Sequence, residues 1–280
     1  ETLALQEFRI LGGEPQGEWG HRAAIRRLEL EAAAAPDSAR YAMLETGFSQ
    51  LLRTHRGSAE LGLLGLADAR RNQAAWNRDK LDQATADYRR FVAEFPQSSR
   101  RSNALYGLAR SLVAKGNFTA AIDTLEELLR GDSRSELSAA ALYDMGQFLR
   151  QQQKLEEAAA RYRELLWSFP AFQHRRQVQL NLADIHFDLG EYGLALGLYQ
   201  QTVGNAGEDG SVWRRIARCH RRQGESGKAL TILQEVAANE PQAADLDSLS
   251  LTIADLLATL DRPAEAARQY LLVSRELSHS

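Results

Sequence analysis

Arg214, Arg218, Arg221 and Arg222 fall at i, i+4, i+7 and i+8, which is one stripe of a helix. Four cations on one stripe repel each other unless they meet anions. Carboxylates and phosphates match the guanidinium group in geometry as well as in charge. The chemistry on offer is therefore recognition of an anion. The same arginines can instead pair with nearby acids such as Asp184 and Asp255, or simply stay solvated.

Other reactive side chains are spaced less suggestively. The histidines, His21, His55, His174, His186, His220 and His279, are dispersed along the chain. A metal site needs further ligands nearby, and none is evident. Cys219 is the only cysteine, so there is no intramolecular disulfide and no zinc knuckle. With Ile216 one turn before it, it reads as a buried small residue rather than a nucleophile. Glu126 with Glu127 and Glu156 with Glu157 are adjacent pairs. Neighbours on a helix do not face each other, so they are solvated faces rather than acid/base dyads. Phosphate-loop, dinucleotide-loop, nucleophile-elbow and H-E-x-x-H patterns are absent. The expectation is a protein with no catalytic residue, no cofactor and no metal.

The elements that must position the arginines are helices. From Ala139 to Pro170, Leu142, Met145, Gly146 and Leu149 share one face of a first run, and Ala158, Tyr162 and Leu165 share one face of a second. Gly146 and Ala158 sit where two helices approach closely, so the stretch is a helical hairpin. Hairpins of the same kind precede and follow it. Their small first-helix residues, Ala109, Gly146, Ala183, Ala217 and Ala254, are 37, 37, 34 and 37 positions apart. Leu61–Arg71 and the run holding Ala84, Tyr88 and Phe91 form an earlier unit, with Leu64 and Gly65 as its small contact. The stretch from Asn72 to Lys80, which holds Trp76, is an extended helix or a loop. Residues 1–58 are less regular, with a short helix over Leu3–Leu11, a run from near Trp19 to before Pro36, and a helix from Asp37 or Ser38 to about His55. Hairpins of this size bury a continuous core only when about three or more stack.

These residues resemble the tetratricopeptide repeat family, with its W-x2-L-G-x2-Y, G-x-Y-x2-A-x3-F and P pattern. Trp213, Gly146, Gly190, Tyr192, Ala195, Tyr199, Ala158, Tyr162 and Pro170 match it as they stand. Leu112, Leu149, His186, His220 and Leu257 replace the aromatic of the first helix, and Asp261 and Pro263 alter the last turn. The resemblance implies an all-α, right-handed superhelical solenoid of antiparallel hairpins. Residues 59–280 would hold about six of them, and residues 1–58 a divergent N-terminal helical segment. It also implies that first helices line a concave groove. Off the core stripe, that groove would present Asn103, Tyr106, Arg110, Tyr143, Gln147, Arg150, Gln177, Asp184, Phe187, Arg214, Arg218, Arg221, Arg222, Leu251 and Asp255. The segments from Tyr88 to Ser98 and from Tyr162 to Pro170 look like those of bacterial cell-envelope members, which implies a periplasmic or envelope location, with the cytoplasm as the alternative.

Composition fits a folded chain: 44% hydrophobic and 25% charged residues, net charge -3 and pI about 6.1. No global positive field favours nucleic acid, and no run of 18 apolar residues is present to span a membrane. The functional expectation is a scaffold that takes protein or peptide segments, acidic or ending in a carboxylate, into its groove. One alternative is a scaffold for exopolysaccharide export, with Tyr106, Tyr143 and Phe187 stacking on sugars. Another is the repeat region of a longer enzyme. A homo-oligomer is compatible with either.

Overall fold

The computed structural model describes residues 18–33, 35–54, 59–132, 134–203, 210–239 and 246–277. The helix expected over Leu3–Leu11 lies outside them. Among the described residues every regular element is an α-helix: α1 (Glu18–Ala33), α2 (Asp37–Thr54), α3 (Ala59–Gln73), α4 (Asp79–Glu94), α5 (Arg101–Ala114), α6 (Phe118–Gly131), α7 (Glu136–Gln151), α8 (Leu155–Ser168), α9 (Arg175–Asp188), α10 (Tyr192–Thr202), α11 (Gly210–Arg222), α12 (Ser226–Asn239), α13 (Leu246–Thr259) and α14 (Pro263–Leu277). The fold is all-α and built of antiparallel hairpins. It forms two compact units, divided within α7 after Met145.

In the first unit the helices α1 to α6 pack in succession, and α3 also touches α5. Helix α6 shows how the sequence achieves this. The Asn117 side chain accepts a hydrogen bond from Ala120 N at 3.2 Å and caps the helix. Ala121, Thr124, Leu125 and Leu128, one apolar stripe, are the residues it buries. Each leucine removed from water there contributes about 2 kcal/mol. The stretch from Asn72 to Lys80 resolves into a longer α3, ending at Gln73, and a short turn before α4. This turn leaves Trp76 57% exposed, with its ring centroid 6.3 Å from that of Tyr41.

Polar groups also tie this unit together. Glu45 of α2 accepts from Arg70 at 3.0 Å, from Lys80 at 2.8 Å and from Gln73 at 2.8 Å, and Arg70 reaches Asp87 of α4 at 2.7 Å. Burial pushes the Glu45 carboxyl up, but the hydrogen bonds from Lys80, Gln73 and Arg70 outweigh it and hold the group below the usual carboxylate range.

In the second unit α8 to α14 likewise pack in succession. Gly146, at the start of this unit, lies against the ring of Tyr162, so a Cβ there would come within 2.5 Å of it. In the first unit Gly107 stands in the same relation to Tyr88. Tyr88, Tyr162 and Tyr199 are buried, whereas Tyr270, at the same place in the last described hairpin, is 39% exposed. The first three are each followed by a hairpin that packs on their helix; among the described residues α14 has none after it.

Several hairpin turns close in one way. Gly116, Gly190 and Gly224 adopt left-handed φ of 78°, 80° and 80°. The next residue then donates to a helix carbonyl: Asn117 to Leu112 at 2.9 Å, Glu191 to His186 at 2.8 Å, and Glu225 to His220 at 2.9 Å. Where glycine is lacking the geometry persists. Gln153 (φ 61°) and Asp261 (φ 57°) take the strained position, and Lys154 and Arg262 donate to Leu149 and Leu257 at 2.9 Å. Asp261 therefore departs from the repeat pattern in residue type while keeping its backbone shape.

Candidate functional site

Four of the residues expected to face the groove converge in the second unit. Arg150 from the last turn of α7, Asp184 and Phe187 from α9, and Arg218 from α11 line one recess of about 200 Å³. Asp188, Tyr199 and Arg215 complete its wall. The position each helix contributes follows from the repeat. Ala183 and Ala217 are each buried in a core cluster of their own, so Asp184 and Arg218, next in sequence, emerge at its edge. Phe187 and Arg221 follow three residues later, one turn along.

At the centre is a carboxylate. Asp184 accepts from Arg215 Nη1 at 2.8 Å through each of its oxygens, and from the Tyr199 hydroxyl at 2.5 Å. Arg150 Nη2 stands 3.9 Å from Asp184 Oδ2, an ion pair without a hydrogen bond. Burial, and then the bond to Asp184, keep Tyr199 protonated well above the ordinary tyrosine range. Arg218 sits differently, its guanidinium 4.7 Å over the Phe187 ring. Tyr192 meets the Phe187 ring edge-on at 5.2 Å. Among the described residues no carboxylate lies within ion-pair distance of Arg218. The recess thus has three guanidinium groups against Asp184 and Asp188, with Asp184 already engaged by Arg215 and Tyr199.

Sequence spacing missed Arg215. The stripe beginning at Arg214 passes it by. It also missed the Tyr199 hydroxyl, because that tyrosine reads as core. A signal was present: the acid follows the small first-helix residue at Asp184 and at Asp255, and a tyrosine follows each by 15 positions. Tyr270 donates to Asp255 at 2.5 Å, and Tyr88 donates to Asp68 at 2.5 Å in the hairpin with the longer α3. Tyrosine of the second helix to aspartate of the first is therefore a recurring tie within hairpins.

The remaining expected residues do not line this recess. Arg221 and Arg222 are exposed on α11, Arg214 is half-buried there, and Gln147 is half-buried on α7. Asn103, Tyr106 and Arg110 lie on α5, and Tyr143 on the part of α7 that belongs to the first unit. Tyr106 donates to Asp144 at 2.8 Å. Burial, reinforced by that carboxylate, pushes its hydroxyl up to about 12.

His186 and His220 are buried near the ends of α9 and α11, with Nδ1 2.5 Å from Glu191 and 2.6 Å from Glu225 in the following turns. They brace turns. Cys219 is fully buried, and burial pushes its thiol up to about 11, away from thiolate chemistry. Among the described residues no three His, Cys, Asp or Glu side chains are grouped to hold a metal ion, and no helix is long and apolar enough to cross a membrane.

No curated protein matches the chain by sequence. Among solved structures, MamA from Desulfovibrio magneticus RS-1 aligns with a TM-score of 0.52 at 16% identity, over 62% of this chain and 93% of its own. A tetratricopeptide repeat protein from Parabacteroides merdae aligns with a TM-score of 0.54 at 15% identity, over 90% of this chain and 93% of its own. PilF of Pseudomonas aeruginosa gives 0.50 at 21% identity, over 80% and 95%. At such identities the likeness is one of fold. The tetratricopeptide repeat profile matches residues 70–136, 106–173 and 180–244, together more than half of the 280 residues. The chain belongs to the tetratricopeptide repeat family.

Proposed function

We propose that this protein is a non-catalytic scaffold that receives an acidic segment of a protein partner, side-chain or C-terminal carboxylate, at the Arg150–Arg218 recess of its second unit. Family membership supports a protein-interaction scaffold in general. The observation that carries the finer reading is the excess of guanidinium charge in a preformed recess, with Arg218 poised over Phe187 and lacking a carboxylate partner. A preformed cationic pocket spares a partner part of the ordering cost, and affinity then rests on a few anchors. An envelope location is part of the proposal and is supported by the resemblance of the Tyr88 and Tyr162 segments to envelope members of the family.

Sugar stacking gains less support. Arg218 covers a face of the Phe187 ring, and the Tyr106 hydroxyl is already engaged by Asp144.

The test is fluorescence anisotropy with a labelled hexaglutamate peptide bearing a free C-terminal carboxylate. Binding should weaken with salt and fall about tenfold in the Arg150→Ala/Arg218→Ala variant. Binding that ignores both salt and the double substitution would overturn the reading.

A further inference from the structure

The carboxylate that best fits this recess is one the protein already carries. Asp184 engages Arg215 through both oxygens at 2.8 Å and takes the Tyr199 hydroxyl at 2.5 Å. Those are the contacts an acidic residue of a partner would seek. Its side chain is still 22% exposed, so it faces the recess. We infer that Asp184 is a built-in competitor: its carboxylate occupies Arg215 as a partner's acid would, and so lowers the affinity of the recess for acidic segments. This inference rests on the proposed anion-binding role of the recess.

Two physical consequences separate a competitor from a mere support. If Asp184 only oriented Arg215 for an incoming acid, its loss would loosen that arginine and weaken binding. If it competes, neutralising it releases Arg215 and removes a repelling charge from the recess. Arg150, 3.9 Å from the same carboxylate, is released from its pull as well. The sign of one substitution therefore decides the matter. Asparagine at position 184 keeps an oxygen that can accept from Tyr199, so the hairpin tie survives while the charge is removed.

The experiment measures the same hexaglutamate probe, at 50 and 200 mM NaCl, on the whole chain as wild type, Asp184→Asn, Arg218→Ala and Asp184→Asn/Arg215→Gln, with thermal melts to verify folding. For Asp184→Asn we expect binding tighter by about fivefold at low salt and a steeper salt dependence, as for one unit charge gained at a partly screened site. The double variant removes cation and anion together and should return to near the wild-type affinity. Weaker or unchanged binding by a folded Asp184→Asn, while Arg218→Ala still weakens the probe, overturns the competitor inference and leaves the anion-binding reading standing. Should Asp184→Asn fail to fold, a double variant at least fivefold weaker than wild type would also overturn it. No binding by any variant would remove both.

Discussion

Gly146→Ala sets two physical effects against each other, and the structure says which wins. Glycine in a helix interior is less favourable than alanine by about 1 kcal/mol, so the substitution should stabilise on propensity alone. A Cβ at position 146, however, would lie 2.5, 2.7 and 2.8 Å from three ring carbons of Tyr162. Ordinary contact begins at about 3.4 Å, so the ring must move by roughly 1 Å. Tyr162 is 0% exposed, and that displacement must come from a packed interior. Overpacking of this kind costs about 3 kcal/mol, the upper end of the usual range, which leaves a net loss of about 2 kcal/mol.

Urea denaturation followed by far-ultraviolet circular dichroism measures it, as a drop in midpoint of about 1 M with an unchanged slope. Gly197→Ala on α10 is the control, because nothing lies within 4 Å of its added Cβ; it should gain up to about 1 kcal/mol. In a Tyr162→Leu background the Gly146→Ala penalty should shrink by at least half, since the atoms it strikes are gone. If Gly146→Ala stabilised as much as Gly197→Ala, the close approach would not be a constraint and the packing argument would be refuted.

Other outcomes follow from the rest of the structure. Glu45→Gln should cost about 2 kcal/mol at pH 7, because it leaves Arg70 and Lys80 without a shared half-buried carboxylate. The Glu45 carboxyl titrates below its unfolded value of about 4.5, so its contribution is present above that pH and is lost as pH falls through the folded value; melts from pH 7 to 3 should show the variant's deficit closing. Cys219 should resist a thiol-specific maleimide at pH 8 in the native state and react on unfolding, and fast native labelling would contradict its burial. Replacing Gln153 by glycine should raise the urea midpoint, by about 1 kcal/mol in stability, because it removes a left-handed backbone strain that Gly116, Gly190 and Gly224 avoid.

Much of the architecture is local and was therefore legible in the chain. The apolar spacing of three and four residues fixes helices. The small residues at Gly146, Ala183 and Ala217 fix where helices touch, and their recurrence at 37, 37, 34 and 37 positions fixes that the hairpin repeats. His186 and His220 read from the sequence as replacements of the first-helix aromatic; that each is braced by a glutamate five positions on came from the structure. The stretch from Asn72 to Lys80 was ambiguous between an extended helix and a loop; the structure ends α3 at Gln73 and starts α4 at Asp79.

The site was legible only in part. Spacing places Arg218, Phe187 and Asp184 on one side of their helices, because the angle between side chains along a helix is set by the backbone. Whether Asp184 would be met by Arg214, Arg215 or Arg218 depends on how α9 and α11 cross, and on Tyr199 reaching in from α10. Those relations are fixed by packing between helices more than a dozen residues apart, and no local spacing encodes them. By itself, the sequence determined a repeat of helical hairpins carrying surplus arginine on one first helix. The tertiary structure decided that one arginine is claimed by an internal carboxylate while its neighbour three residues on is held over an aromatic ring.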